Sequence, residues 1–94
     1  MKLVWTKAAI RDLDLLAVYL AAGSERASES VEERIREEAK LLCRFPRSGR
    51  IGRAQGTRER VVGGTPYILA YRIVSGRVRI LRVYHGARKW PKHF

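Results

Sequence analysis

The residues best suited to chemistry lie at the ends of two β-like runs in the second half of the chain. One run opens with an Arg-Glu-Arg triplet, and the other closes with an arginine, a tyrosine and a histidine before a further arginine. The full set is Arg58, Glu59, Arg60, Arg82, Tyr84, His85 and Arg88. If the two strands lie close together, these side chains form a positively charged floor around a titratable imidazole, and such a set could cleave RNA.

In that arrangement His85 would transfer protons near neutral pH, because the imidazole titrates there. Glu59 would act as its partner, and Arg58 or Arg88 would stabilise the charge that grows on the phosphate. The same residues also permit a structural interpretation, in which Glu59 pairs with an arginine across the sheet and His85 is a hydrogen-bonding residue only. Both interpretations stay open from the residues alone.

Positive charge is concentrated in the second half of the chain. The net charge is +11 over 94 residues. Residues 1–45 contain eight Lys/Arg and eight Asp/Glu, whereas residues 46–94 contain twelve Lys/Arg and a single acid, Glu59. This asymmetry predicts an anionic partner for the second half, either a nucleic acid or an acidic protein segment. The preference for arginine over lysine favours recognition of phosphate or carboxylate.

The motifs of several enzyme and membrane classes are absent. The sequence has no P-loop, no GxGxxG and no nucleophile elbow. With one cysteine, Cys43, and two histidines, it offers too few ligands for a metal site, so we expect no metal, no cofactor and no intrachain disulfide. No apolar run approaches the roughly 20 residues of a membrane span, and the N-terminus lacks the long apolar stretch and small-residue cleavage site expected of a signal peptide. These features predict a single cytoplasmic domain over residues 1–94.

The first half of the sequence predicts a short strand and two helices. Residues 2–5 are apolar, and Thr6 can cap a helix over residues 7–22. Ser24 can cap a second helix, which Pro46 ends near residue 44. Each helix carries an apolar stripe, so the two are expected to form an antiparallel hairpin with one apolar face.

The second half predicts a loop over residues 46–56 and then an antiparallel meander. Its three strands are expected at residues 57–62, 66–74 and 77–85, joined by tight turns. The last strand does not alternate cleanly, which indicates a bulge or burial on both faces. The helical hairpin and the sheet cover each other, and the fold class is therefore α+β, with a two-helix hairpin packed on a small antiparallel sheet after a short N-terminal strand.

The aromatic side chains divide into two groups in this interpretation. Tyr67 and Tyr71 lie within the most apolar strand and are expected in the core. Tyr84 and Trp90 lie beside basic residues, so they are the better candidates for exposed contacts with bases.

Five segments, taken together and in order, resemble the RelE/ParE superfamily of bacterial toxins. They are "KAAIRDLDLLAVYLA" (7–21), "FPRSGRIGR" (45–53), "GTRERVV" (56–62), "PYILAYRI" (66–73) and "ILRVYHGARKWP" (80–91). The resemblance covers nearly the whole chain, and the combination is more specific than any one segment. It implies the fold predicted above and the toxin half of a type II toxin–antitoxin pair, neutralised by a small antitoxin with an acidic or amphipathic tail. The apolar face of the helical hairpin would bind this tail through Leu13, Leu16, Leu20, Ile35 and Leu42.

The resemblance leaves two targets open. RelE-like members cut messenger RNA on the ribosome, whereas ParE-like members act on DNA gyrase without an evident nuclease reaction. The lysine-rich strand of the RelE-like enzymes is missing here, since only Lys89 and Lys92 lie beyond residue 40. "YHGARKWP" is closer to the ParE-like branch, so a binding toxin is favoured over an enzyme. The expected target or nucleic-acid contacts are Arg60, Arg82, Tyr84, Lys89 and Trp90. A non-toxic nucleic-acid-binding module is the third alternative.

Overall fold

The computed structural model describes residues 1–87, and within them two helices pack on one face of a five-stranded sheet. The elements in chain order are β1 (Lys2–Trp5), α1 (Lys7–Ala21), α2 (Glu25–Arg44), β2 (Arg50–Ile51), β3 (Arg58–Val61), β4 (Tyr67–Val74) and β5 (Arg77–His85). This is the α+β architecture that the sequence predicts. Within residues 1–87, neither helix is long and apolar enough to cross a membrane.

Both helices begin where their capping residues predict. Thr6 Oγ1 accepts a hydrogen bond from Ala9 N at 3.2 Å, and Ser24 Oγ accepts one from Ala27 N at 3.2 Å. Each of these bonds satisfies a backbone donor that has no partner inside its helix. The Thr6 hydroxyl also donates to Ile80 O at 2.9 Å, so the same residue fastens the start of α1 to β5.

The sheet is mixed rather than wholly antiparallel. Its strand order is β1-β5-β4-β3-β2, and β2 through β5 pair antiparallel. β1 pairs parallel with β5, with Lys2 opposite Arg77 and Trp5 opposite Ile80. The predicted antiparallel meander is confirmed for β3, β4 and β5. The sequence makes no prediction for the partner of β1, because a parallel pairing across some 75 residues leaves no local signal. The predicted loop also contains the short strand β2.

A bulge in β5 changes which side chains point towards the helices. Ala70 pairs with Arg82 but the next residue, Tyr71, pairs with Ile80, so Leu81 is the extra residue. This confirms the irregularity that the sequence predicts. Before the bulge Ile80 points to the core, and after it Val83 does.

The sheet has two faces, which we name by their position relative to the helices. The inner face packs on α1 and α2, and its core side chains include Leu69, Tyr71 and Ile80. Tyr67 also lies in this core, so the burial expected for Tyr67 and Tyr71 is confirmed. The outer face points away from the helices and carries a second small apolar cluster, formed by Ile68, Ala70 and Tyr84.

Candidate functional site

Glu59 lies on the outer face, where its buried carboxylate forms an ion pair with a largely exposed arginine. Its side chain is 1% exposed and its Oε1 accepts a hydrogen bond from Arg50 Nη2 at 3.0 Å. Its Oε2 accepts a second from the backbone N–H of Arg53 at 2.9 Å. Both carboxylate oxygens are thus engaged by β2 and the loop that follows it. This is the structural interpretation of Glu59, in which the acid orients its neighbours.

Tyr84 is buried beside Glu59, so the prediction of an exposed nucleic-acid contact is wrong. Only 8% of the residue is accessible. The bulge at Leu81 moves Tyr84 to the outer face, where it packs with Ile68 and Ala70. Burial raises the pKa of the Tyr84 phenol to about 12, and the nearby negative charge of Glu59 adds to the shift.

His85 lies on the inner face at the end of β5, away from Glu59. It pairs across the sheet with Tyr67, and the two rings meet edge to face with centroids 5.6 Å apart. Its Nδ1 accepts a hydrogen bond from Ala87 N at 3.1 Å. These contacts fit a residue that orders the end of a strand.

The strand register keeps His85 and Glu59 apart. Glu59 pairs with Ala70, which pairs with Arg82, so Glu59 is level with a residue three positions before His85. Two strand spacings then separate the residues by about 10 Å across the sheet, and three residues add about 10 Å along it. Because they also lie on opposite faces, the structure does not bring the predicted acid–base pair together.

Arg58 stabilises the turn before β2. Its Nη1 donates to Gly49 O at 2.8 Å and to Arg47 O at 3.2 Å. Tyr71 supports the same turn, since its hydroxyl donates to Pro46 O at 2.7 Å and accepts from Gly49 N at 2.9 Å. Burial raises the pKa of Tyr71, although its hydrogen bond to Gly49 opposes the shift. Arg58 Nη1 is therefore engaged by two backbone carbonyls and helps to hold this turn.

The other two predicted arginines tie the sheet to the helices. Arg60 Nε donates to Glu38 Oε1 of α2 at 2.8 Å. Arg82 binds Asp12 of α1 through two hydrogen bonds, of 2.7 Å to Oδ2 and 2.9 Å to Oδ1. The bond to Asp12 raises the pKa of Arg82 further. Both guanidinium groups form ion pairs between the sheet and the helices. That Arg60 and Arg82 contact a target stays a prediction.

The predicted antitoxin-binding residues are part of the core. Leu13, Leu16, Ile35 and Leu42 are buried, and Leu20 is half-buried against the same cluster. The apolar stripes that define the helices are covered by the inner face of the sheet, so the four buried side chains are unavailable to a partner.

A different set of apolar side chains on α1 is exposed. Leu15 is 64% accessible, Val18 73% and Tyr19 65%. We call these three residues the α1 surface stripe. The sequence contains its signal, because Leu15, Val18 and Tyr19 recur at i, i+3 and i+4, the spacing of one helix face. The helical period also relates the side chains of α1 that pack in or against the core, Leu13, Leu16 and Leu20. The sequence pattern alone therefore does not show which of the two faces of α1 packs on the sheet.

The remaining predicted residues lie at the C-terminus. Arg88, Lys89 and Trp90 are outside the described residues. Among residues 1–87, no group of three His, Cys, Asp or Glu side chains is placed to hold a metal ion.

Comparison with known proteins assigns the family. The family described as "ParE toxin of type II toxin-antitoxin system, parDE" matches residues 3–90. The chain is 41% identical over 88 residues to Y4kP of Sinorhizobium fredii, covering 94% of this chain and 91% of that protein. It is 32% identical over 87 residues to the toxin RelE2 of Caulobacter vibrioides, covering 93% and 97%.

Solved structures share the fold of this chain. The chromosomal ParDE system from P. aeruginosa contains a chain with a TM-score of 0.80 and 25% identity, covering 90% of this chain and 95% of that one. The intact E. coli RelBE complex matches at a TM-score of 0.67 and 16% identity, covering 93% and 98%, and this likeness shows the fold alone. The chain belongs to the ParE family of toxins from type II toxin–antitoxin systems.

Proposed function

We propose that this toxin arrests growth by binding DNA gyrase, without cutting RNA, and that a cognate antitoxin neutralises it by covering the α1 surface stripe. The observation that carries the first part is the separation of His85 from Glu59. General acid–base catalysis requires the two groups to reach the reacting atoms together, within about 3 Å. Here they point to opposite faces of the sheet, and Glu59 is held by Arg50 and by the backbone of Arg53.

The arginines support the same proposal. Stabilising the transition state of phosphate cleavage needs preorganised cations aimed at the phosphate. Within the described residues, the guanidinium of Arg58 donates to backbone carbonyls, and those of Arg60 and Arg82 bind carboxylates of the two helices. The match to the ParE family and the 25% identity to a chain of the P. aeruginosa ParDE system also favour the ParE-like branch, and hence gyrase as the target. Gyrase as the target places this action in the bacterial cytoplasm.

A RelE-like mRNA endonuclease is the second candidate, because the chain is 32% identical to the toxin RelE2. Two assays on the purified protein distinguish the candidates: DNA supercoiling by gyrase, and cleavage of messenger RNA on translating ribosomes. We expect supercoiling to be inhibited and mRNA to stay intact. The His85→Ala variant should inhibit gyrase within a few-fold of the wild type. Ribosome-dependent mRNA cleavage that His85→Ala abolishes would establish the endonuclease instead.

The α1 surface stripe is the proposed antitoxin contact because it is a set of large apolar side chains on one exposed helix face. Structural relatives of this chain are solved as toxin–antitoxin complexes. An amphipathic antitoxin segment can bury such a stripe against its own apolar face. The stripe replaces the buried leucines that the sequence suggested, and it leaves the outer face of the sheet uncovered.

Introducing negative charge into the α1 surface stripe tests this contact. Leu15→Glu with Val18→Glu should weaken binding of the antitoxin at least tenfold in calorimetric titration. The control, Ala27→Glu with Ser30→Glu, adds the same two charges at exposed positions of α2 and should bind as the wild type does. Equal affinity of both double variants for the antitoxin would contradict the proposal for the stripe and leave the gyrase proposal untouched.

A further inference from the structure

Five exposed cations cluster at one end of the outer face. Arg72 of β4 lies directly opposite Arg79 of β5, and Arg77 of β5 lies directly opposite Lys2 of β1. Lys7, at the start of α1, lines a shallow groove of about 370 Å³ together with Arg72 and Arg79. We call these five residues the basic patch. All five are exposed, and none is among the catalytic or binding residues predicted from the sequence.

The basic patch places like charges opposite each other on neighbouring strands. Like charges directly opposite each other on neighbouring strands destabilise a sheet. Three other arginines of the second half are matched with carboxylates, namely Arg50, Arg60 and Arg82. For the patch, within residues 1–87, no carboxylate lies within ion-pair distance, and the one side-chain hydrogen bond runs from Arg72 Nη2 to Gln55 O at 3.3 Å.

The acids of the chain are on the other side of the molecule. Eight of the nine lie on the helices, with Asp12 and Asp14 on α1 and six glutamates on α2. The ninth is Glu59, which is buried and paired with Arg50. Positive charge at the basic patch is therefore uncompensated, whereas the two helices are close to neutral, with eight acids and seven Lys/Arg.

We propose that the basic patch binds the sugar–phosphate backbone of a nucleic-acid duplex. Three of its five cations are arginines, whose planar forks match phosphate oxygens. The patch contains no aromatic side chain, whereas single-stranded nucleic acid is held largely by stacking of its bases on aromatics. Arginine clusters also bind acidic peptides, so polyglutamate is the competing ligand in the test below.

Binding of this kind reads no base sequence, because contacts to phosphates position a protein without specifying bases. Such binding is compatible with either proposed target of the toxin, gyrase or the ribosome. Because the basic patch and the α1 surface stripe are separate surfaces, the toxin could bind nucleic acid and the antitoxin at the same time.

Fluorescence anisotropy of the full-length chain with a labelled DNA duplex of random sequence tests the inference. Each phosphate contact contributes about 0.9 to the slope of log affinity against log salt concentration. Arg72→Gln with Arg79→Gln should therefore lower that slope by about two, and should weaken binding about tenfold or more near 0.1 M salt. A second variant, Lys2→Gln with Arg77→Gln, should show a similar decrease in slope and affinity. It tests the inference independently if the first variant does not fold.

The matched control removes the same charge from the helical side. Arg11→Gln with Arg26→Gln replaces two exposed cations of the helices that make no ion pair within the described residues. This control should keep the wild-type slope. An equal loss in the control would overturn the inference by showing that net charge alone drives binding. Tighter binding of single strands or of polyglutamate than of the duplex would overturn it equally.

Discussion

Asp12 on α1 and Arg82 on β5 are 70 residues apart in the chain and form a two-point ion pair, with hydrogen bonds of 2.7 Å and 2.9 Å. The Asp12 carboxylate accepts a third bond from the backbone N–H of Val83 at 2.9 Å. Three hydrogen bonds thus join the first helix to the last described strand, directly after the bulge at Leu81.

Asp12→Asn should destabilise the fold. The change removes the charge of the carboxylate and one of its acceptor oxygens, and hydrogen bonds to charged groups contribute about 1.5–3 kcal/mol. We expect a loss in that range in urea unfolding followed by circular dichroism. Asp14→Asn is the control, because Asp14 is exposed on the same helix, and it should change stability by less than about 0.5 kcal/mol. Equal losses from both would show that the pair adds nothing.

Glu59→Gln should act on stability and leave the type of toxicity unchanged. The variant keeps the shape of the side chain but weakens its bonds to Arg50 and to Arg53 N, which should cost about 1–3 kcal/mol in chemical unfolding. Glu33→Gln, at an exposed position of α2, is the matched control and should be neutral. A fully stable Glu59→Gln protein that no longer arrests growth would place Glu59 in the toxic chemistry instead.

Tyr84 should make the fold sensitive to alkali. Its pKa is raised from 10.0 to about 12 in the folded state. Between these values the unfolded chain loses the phenolic proton while the folded chain keeps it, so the stability from this residue is complete below pH 10 and is lost as pH rises towards 12. Tyr84→Phe should flatten the fall of the free energy of unfolding across that window.

The matched control for the phenol is Tyr19→Phe, which removes a hydroxyl from a residue that is 65% exposed. At neutral pH it shows how much the loss of a phenolic hydroxyl alone changes the free energy of unfolding. Identical profiles for Tyr84→Phe and the wild type would contradict the assignment. Some slope should persist in Tyr84→Phe, because burial also raises the pKa of Tyr71.

Leu13 and Leu15 are two positions apart on α1 and should respond differently to truncation. Leu13→Ala creates a cavity between the helices and the sheet, and should cost about 2–5 kcal/mol in thermal unfolding. Leu15→Ala removes a side chain that is 64% exposed and should leave stability within about 0.5 kcal/mol. Comparable losses at the two positions would contradict the division between core and surface stripe.

The sequence predicts those elements whose signals are local. The caps at Thr6 and Ser24 depend on a hydroxyl and the next three residues, and both are confirmed. The placement of β1 beside β5 and the pairing of Asp12 with Arg82 depend on contacts across some 70 to 75 residues, for which one sequence carries no signal.

The candidate site was harder to predict because its geometry depends on register. A single extra residue, Leu81, decides that Tyr84 faces outwards and His85 inwards. The RNA-cleaving arrangement required the opposite, with His85 and Glu59 on one face. The basic patch was missed for the same reason, since only the pairing of β4 with β5 places Arg72 opposite Arg79.

The most direct test of the central claim is the rate of methionine incorporation in the minutes after the toxin is expressed without its antitoxin. A gyrase-binding toxin should leave protein synthesis running at first, while supercoiling falls and growth stops later with signs of DNA damage. An immediate collapse of protein synthesis, before any change in supercoiling, would contradict a gyrase-binding toxin and place its action on the ribosome.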